Sequence, residues 1–264
     1  MLLGTAAGGG YPQWNCWCPG CRIARADPAR ARPRTQSSLA VSADGRHWFL
    51  VNASPDVREQ VARLPLPSPF AELSGAAVRH VPIEGVVLTD AELDHSLGLA
   101  LLREARRLNV HATRAVRRTL ERHSRLLPVT RAFADVTVTE LALSRPVALR
   151  RADGAASGLT VEAFAVPGDA PRFAREELEG HTVGLLFRDE AGATCSVVPG
   201  CGALDAALLA RLASTSLVLF DGTFWSSDEL IALGIGERRA EEMGHVPMGG
   251  DGMREGSLEA LSTC

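Results

Sequence analysis

Apolar positions along this chain keep two periods, two residues in some stretches and between three and four in others, and the alternation of those stretches sets out the fold. Residues 38–54, SLAVSADGRHWFLVNAS, are two β-rich runs either side of Asp44-Gly45, a pattern that predicts a hairpin. Ser54-Pro55-Asp56 then starts a helix that VREQVARL continues with apolar residues three and four apart. Residues 84–88 predict a strand, and LGLALLREARRL (beginning at Leu97 and reaching Leu108) and RAVRRTLERHSRLL predict two amphipathic helices. FADVTVTEL and GLTVEAFAV read as strands, residues 167–180 as a polar loop, and residues 181–200 as a second hairpin turning near Ala191-Gly192. LDAALLARLAST predicts a helix, SLVLFDGT a buried strand and SSDELIALGI a capped helix. Two strand-rich halves, each closed by helices, predict an α/β chain folded as a four-layer αββα sandwich. No linker, low-complexity tract or short-period repeat divides it, so residues 1–264 are expected to form a single domain.

Composition narrows the function. With 264 residues and 46% hydrophobic content the chain can bury a full core. A net charge of −3 argues against a dedicated nucleic-acid binder. All 28 basic residues are Arg, which excludes Schiff-base chemistry, a P-loop lysine and a lysine general base. MLLGTAAGGG has neither a basic n-region nor an apolar stretch of spanning length, so a cytoplasmic protein without membrane attachment is expected.

Two clusters carry candidate chemistry. GVVLTDAELDHSLG puts Asp90, Glu92, Asp94 and His95 within six residues at the end of the predicted strand at 84–88. Hard carboxylates and an imidazole at such a turn can converge on a cation beyond the strand. The alternative is that the three acids only cap the helix that follows. The second cluster is Cys16, Cys18 and Cys21 in CWCPGC. Thiols this close pair with strain but can wrap one soft cation, so a structural Zn²⁺ in the loop 14–22 is expected, with a fourth ligand from elsewhere. A redox thiol pair or a partial disulfide is the competing reading. Cys195, Cys201 and Cys264 are scattered and expected to be free.

The blocks GTAAGGGYPQWNCWCPGC, RPRTQSS, NASPD, LTDAELDHSLGL, PGC, FDGTFW and MGH, in this order over nearly the whole chain, resemble the PqqB proteins of pyrroloquinoline quinone (PQQ) biosynthesis. That family belongs to the metallo-β-lactamase-like superfamily, whose motif is T-H-x-H-x-D-H-x-x-G. Thr89, Asp94, His95 and Gly98 match it, while Asp90 and Glu92 stand where the two leading histidines would be. In the superfamily's hydrolases those histidines hold the first Zn²⁺ and a bridging Asp holds both metals; here the bridging position falls at or near Cys201. What remains is a mostly oxygen site with imidazole and open positions, which suits Fe(II). The resemblance implies an Fe(II)- and O₂-dependent hydroxylase of a tyrosine-derived small-molecule or short-peptide precursor of PQQ, working alongside other proteins of that pathway. Asp94 and His95 are the expected ligands, joined by Asp90 rather than Glu92. A carrier for PQQ or its precursor and a zinc-dependent hydrolase are the other readings. Against the family both ends look short, and a C-terminal strand whose His would complete the metal site is missing beyond the helix expected at 255–262.

Other residues have two readings each. His245, in MGHVPM, occupies the place of a catalytic histidine in ribonuclease Z-like relatives, or is a turn histidine. Asp221 is a strand-end acid on the expected active face, or a cap for FWSSDEL. His181 is expected to line the pocket rather than bind metal. His47, His80, His111 and His123 show no constellation and are expected at the surface or in the core. Trp14, Trp17 and Trp225 are expected to pack rather than to stack on substrate.

Overall fold

The computed structural model describes residues 1–65 and 83–249. The expected positions His80, Cys264 and the helix at 255–262 lie outside the described residues. Among the described residues eleven strands build two sheets. The first runs β1 (Leu2–Gly4), β2 (Ser38–Val41), β3 (Trp48–Val51), β4 (Ile83–Val87), β5 (Arg107–Ala112) and β6 (Asp135–Glu140) in sequence order. Its first three strands pair antiparallel and β3 through β6 pair parallel. The second sheet has the order β11 (Leu217–Phe220), β10 (Thr194–Val198), β9 (Val183–Asp189), β8 (Ala156–Ala165), β7 (Val147–Arg150). Only β10 and β11 are parallel in it.

Three apolar clusters correspond to the three interfaces of a four-layer sandwich. Phe49, Val51 and Val87 of the first sheet meet Leu149, Val161, Leu185 and Val197 of the second. The opposite faces of β3, β4 and β5 put Leu50, Val86 and Val110 against Leu99, Val116, Leu120 and Leu127 of the helical layer. Phe164 and Val198 carry α7 (Ala206–Ala213) through Leu208 and Leu212 on the far side. The αββα prediction from strand and helix periodicity is therefore the observed fold.

Several elements differ from the sequence prediction. The helix expected from Leu97 to Leu108 is two short turns, α3 (Leu93–Ser96) and α4 (Gly98–Leu101), and Arg107–Ala112 is a strand instead. In RLNVHA the buried Leu108, Val110 and Ala112 face the helices, so period-two burial overrides the helix propensity of the residues before it. The segment after it breaks into α5 (Arg114–Arg118), a π turn at Thr119–His123 and α6 (Leu126–Arg131). Arg125, at φ +62°, forces the last break. The strand β11 was expected buried, but it is a sheet edge and none of its four residues is fully buried. The helix expected at SSDELIALGI shrinks to α8 (Glu229–Ala232), and Asp228 makes no side-chain cap bond. A helix the pattern did not predict, α1 (Pro19–Ala26), follows the thiols, while the helix expected after Ser54-Pro55-Asp56 is the short α2 (Val57–Val61).

The candidate metal site and the rim around it

The acidic motif hangs from the end of β4 and is locked by the end of β3. Ala53 N donates to His95 O at 2.7 Å and Gly98 N donates to Ala53 O at 2.8 Å. A Cβ on Gly98 would lie 2.3 Å from Ser54 O, so only glycine permits this approach. From the other side the glycine-rich N-terminal loop closes in, with Asp94 Oδ2 3.2 Å from where a Cβ on Gly8 would stand.

Within the motif, Asp90 and His95 are both buried and form a pair, His95 Nδ1 donating to Asp90 Oδ2 at 2.7 Å. Thr89 Oγ1 donates to the same oxygen at 2.7 Å, and Glu92 N donates to Oδ1 at 2.9 Å. Behind Thr89 stands Asn52, in the left-handed region at φ +61°, whose side chain accepts from Thr89 N at 3.0 Å and donates to Thr89 Oγ1 at 2.9 Å. Sequence reasoning missed Asn52; its only signal is an Asn, the residue best suited after Gly to a left-handed turn, directly after a strand. Burial alone would drive the His95 pKa down, but Asp90 outweighs it and lifts the ring to about 9. Burial likewise pushes the Asp90 carboxyl up, and His95 reverses this to hold it below the ordinary carboxylate range. Glu92 is raised by its own burial and by Asp90 and Asp94.

These geometries change the expected roles. Among the described residues the one group of three or more His, Cys, Asp or Glu whose ligand atoms converge is Cys16, Cys18 and Cys21, within 4.8 Å of one another. Asp90, Asp94 and His95, expected on one ion, do not converge in this way. Asp90 spends both oxygens on hydrogen bonds and holds His95, whose Nε2 is the ring nitrogen left for a metal. Of the three acids, Glu92 at the N-cap of α3 makes no side-chain cap bond, and it is Asp90 that accepts from the Glu92 N–H.

A second pair lies on the other sheet. Asp221 follows β11, and its Oδ2 accepts from His245 Nδ1 at 2.7 Å while Oδ1 accepts from Thr223 N and Oγ1. The sequence marked Asp221 and His245 separately; the fold joins them. The backbone of His245 also forms an isolated parallel β-bridge with that of Cys201, whose buried thiol is pushed up to about 11 by that burial. Both pairs sit on one rim. Val183 N, at the start of β9, donates to Thr89 O at 2.9 Å. The end of β10 lies beside that start, because β9 and β10 run antiparallel, and β11 runs parallel to β10. His181 stands two residues before Val183 and lines a cavity there, as expected.

The thiol loop is built by α1. Cys18 is its N-cap, Pro19 its first residue, and Cys21 lies one turn in. Arg25, from the last turn, reaches back to Cys16 O and Gln13 O and stacks on Trp17 at 4.6 Å. Burial and the neighbouring sulfurs push the Cys21 thiol to about 11. Burial raises Cys18 too, but hydrogen bonds from Cys21 and Cys16 leave it below its usual value. Three thiols so placed fit a soft cation that would replace their protons. Cys195 and Cys201 are free, as expected. The tryptophans expected to pack are largely exposed: Trp14, Trp17 and Trp225 show 81%, 68% and 66% of their surface, and Trp17 packs only its ring face, under Arg25.

Fold and rim together define a protein of the metallo-β-lactamase class, and residues 47–264 match the beta-lactamase superfamily domain. Within that class the chain belongs to the coenzyme PQQ synthesis protein B family. It is 41% identical to that protein of Gluconacetobacter diazotrophicus over 99% of its own length and 84% of the relative's. The protein of the same description from Methylobacterium sp. (strain 4-46) is 43% identical, with the same coverage. The structure is similar to Zn²⁺-bound PqqB from Methylobacterium extorquens, with a TM-score of 0.82 at 37% identity, covering 95% of this chain and 81% of that one. A diphosphatase of the PhnP family, at TM-score 0.58 and 20% identity over 85% of this chain and 74% of that one, shares the fold. No helix among the described residues is long and apolar enough to cross a membrane.

Proposed function

We propose that this chain acts in PQQ biosynthesis as an Fe(II)- and O₂-dependent hydroxylase of a tyrosine-derived precursor. The observation that carries this reading is the Asp90–His95 pair. It replaces the leading histidine of a zinc hydrolase with a carboxylate that turns the remaining imidazole, so the site offers one Nε2 and the Asp94 carboxylate with positions left open. Such a hard, unsaturated donor set suits Fe(II). The iron would supply activation of O₂. Balanced, the reaction takes one aromatic C–H, O₂, two electrons from an external two-electron reductant and two protons to a phenol and water.

The chain's own residues do the rest. Asn52 and Thr89 fix Asp90, Asp90 fixes the ring of His95, and the Gly8 loop covers Asp94. Asp221 holds His245 through Nδ1, which leaves the His245 Nε2 edge to exchange a proton with substrate at the rim. The thiol loop holds a structural Zn²⁺ that keeps the glycine-rich segment in place; the Zn²⁺-bound PqqB of Methylobacterium extorquens supports zinc in this family. On this reading residues 1–264 work as one domain in the cytoplasm, on a small-molecule or short-peptide precursor and beside other PQQ-pathway proteins.

The test is metal analysis followed by anaerobic Fe(II) titration and oxygen uptake with a tyrosine-containing precursor and ascorbate. Precursor-dependent uptake with a product heavier by one oxygen supports the reading. Tight precursor binding without uptake would make the chain a carrier, and release of a cleaved ester or phosphodiester with Zn²⁺ alone would make it a hydrolase.

A further inference from the structure

The segments RPRTQSS (residues 32–38) and NASPD (residues 52–56) are joined by a closed ring of hydrogen bonds. Gln36 N and Nε2 both donate to Asp56 Oδ2, at 2.8 and 3.1 Å. Asp56 N donates to Ser54 Oγ at 3.1 Å, Ser54 Oγ donates to Gln60 Oε1 at 2.8 Å, and Gln60 Nε2 returns to Gln36 O at 2.7 Å. Gln36, Ser54 and Gln60 are buried. Asp56 is the N-cap residue of α2, yet it makes no side-chain cap bond. A capping Asp contributes about 1 kcal/mol to its helix, so this carboxylate forgoes that bond and serves Gln36 instead.

Held in this way, Gln36 has its Oε1 left over, and that oxygen accepts from Gly9 N at 3.0 Å. Gly9 lies in the turn at residues 7–10, which Gly10 N closes by donating to Ala7 O at 3.0 Å. On either side of the turn the chain is fastened by backbone bonds, Ala6 N to Thr35 O and Tyr11 N to Arg34 O. Within the turn, the bond to Gln36 is the one side-chain anchor among the described residues. The adjoining Gly8 faces Asp94. A Cβ on Gly8 would lie 3.2 Å from Asp94 Oδ2, 3.4 Å from its Cγ and 3.6 Å from its Cβ, so the acidic side chain lies along the turn. Asp90 is fixed by hydrogen bonds, whereas the Asp94 carboxylate has no hydrogen bond or ion pair among the described residues. The turn is what confines it.

We propose that Gln36, held by Asp56, is a positioning residue of the candidate metal site: through the Gly9 N–H it seats the glycine turn against Asp94 and so sets the direction of that carboxylate. This rests on the reading of Asp94 as a metal ligand. The segment 52–56 then supports the site along two branches. Asn52 reaches His95 through Thr89 and Asp90, and Asp56 reaches Asp94 through Gln36 and the turn. A carboxylate without hydrogen bonds of its own keeps one orientation only if its surroundings leave no other, and a preset ligand binds metal more tightly than one that must first be ordered.

The test uses the full chain in two measurements. Amide hydrogen exchange without added iron reads the seating of the turn: Gln36→Leu should speed exchange at Gly9 by about fivefold, the loss of one hydrogen bond. Anaerobic Fe(II) titration reads the consequence: affinity should fall by about tenfold while the zinc content of the chain stays the same. Should Gln36→Leu not fold, Asp56→Ala should give the same two changes, and Asp56→Asn, which keeps an acceptor for Gln36, should restore most of both. Gly8→Ala separates positioning from general loosening. Gly8 is not in the left-handed region, so the substitution is free of backbone strain, and its Cβ should displace Asp94 and lower Fe(II) affinity by itself. In the Gln36→Leu background the turn can yield, so the two losses should combine to less than their product. Unchanged exchange at Gly9, full Fe(II) affinity in Gln36→Leu, or losses that simply multiply would each overturn the proposal. Full affinity with intact precursor-dependent oxygen uptake in Gln36→Leu removes the positioning role alone. Fe(II) binding that obeys these expectations without any oxygen uptake removes the hydroxylase and leaves the positioning role standing.

Discussion

Asp90 Oδ2 accepts the Nδ1 proton of His95 at 2.7 Å, so the carboxylate that stands in place of a motif histidine has become the support of the histidine that remains. This separates two roles that look alike in sequence. A direct ligand removed takes the metal with it, whereas a supporting residue removed weakens binding by about ten- to a hundredfold. Asp90→Asn should therefore lower Fe(II) affinity by about that factor and leave a measurable site. Asp94→Ala and His95→Ala should abolish iron binding while zinc stays in the thiol loop. Anaerobic titration of the three variants with parallel zinc analysis checks this; complete loss of iron in Asp90→Asn would make Asp90 a ligand after all.

The same pair predicts the pH dependence of metal binding. Burial opposes a charged ring, yet Asp90 lifts the His95 pKa in the metal-free chain to about 9, so near neutral pH its Nε2 is protonated. Iron must displace that proton. Apparent affinity should rise about tenfold per pH unit from about pH 7 to about pH 9 and then level off. Fe(II) titrations in a buffer series under nitrogen measure the slope. A flat profile would show that His95 Nε2 is not where the metal binds.

The thiol loop yields to a simpler experiment. Cys16, Cys18 and Cys21 bring their sulfurs within 4.8 Å of one another, and one ion held by all three would fix the start of α1 against the glycine-rich loop. Cys18→Ser should release about one zinc per chain and lower the thermal midpoint, because a structural zinc contributes its binding energy to folding. Retention of full zinc content in the variant would mean that the sulfurs hold no ion in common.

Much of this architecture was legible in the sequence, and the misses have definite causes. The hairpins at 38–54 and 181–200 were readable because Asp44-Gly45 and Ala191-Gly192 mark their turns and alternating residues flank them. β5 was not, because Arg106 and Arg107 continue the spacing of the helix before them, and only the parallel ladder to β4 and β6 decides for a strand. The thiol cluster was visible because its members are adjacent in sequence. The Asp221–His245 pair spans 24 residues and the Asn52–Thr89 network 37, separations at which sequence carries no contact signal. The rim itself depends on the register of β9 against β10, and no local pattern encodes it.

The last prediction concerns His111, which sequence reading left among core or surface residues and which the fold buries between the sheets. It is 5% exposed, edge-on to Phe49, and neither ring nitrogen has a partner. Burial lowers its pKa from 6.5 to about 4, with no neighbouring charge to offset it. The folded state therefore keeps the ring neutral where the unfolded chain would take up a proton. The sign follows: stability is intact above about pH 6.5 and falls as pH drops from there to about 4, where the folded ring also protonates. One proton over this interval amounts to about 3 kcal/mol, a large part of a domain's stability. His111→Leu removes both the titration and the two unpaired nitrogens. It should equal or exceed the parent in stability near pH 7, and its advantage should widen by about 3 kcal/mol on going to pH 4. Urea unfolding of the two chains at several pH values gives the difference directly, free of the other groups that titrate in both. Parallel curves for the pair would mean that His111 is protonated in the fold or has found a partner between the sheets.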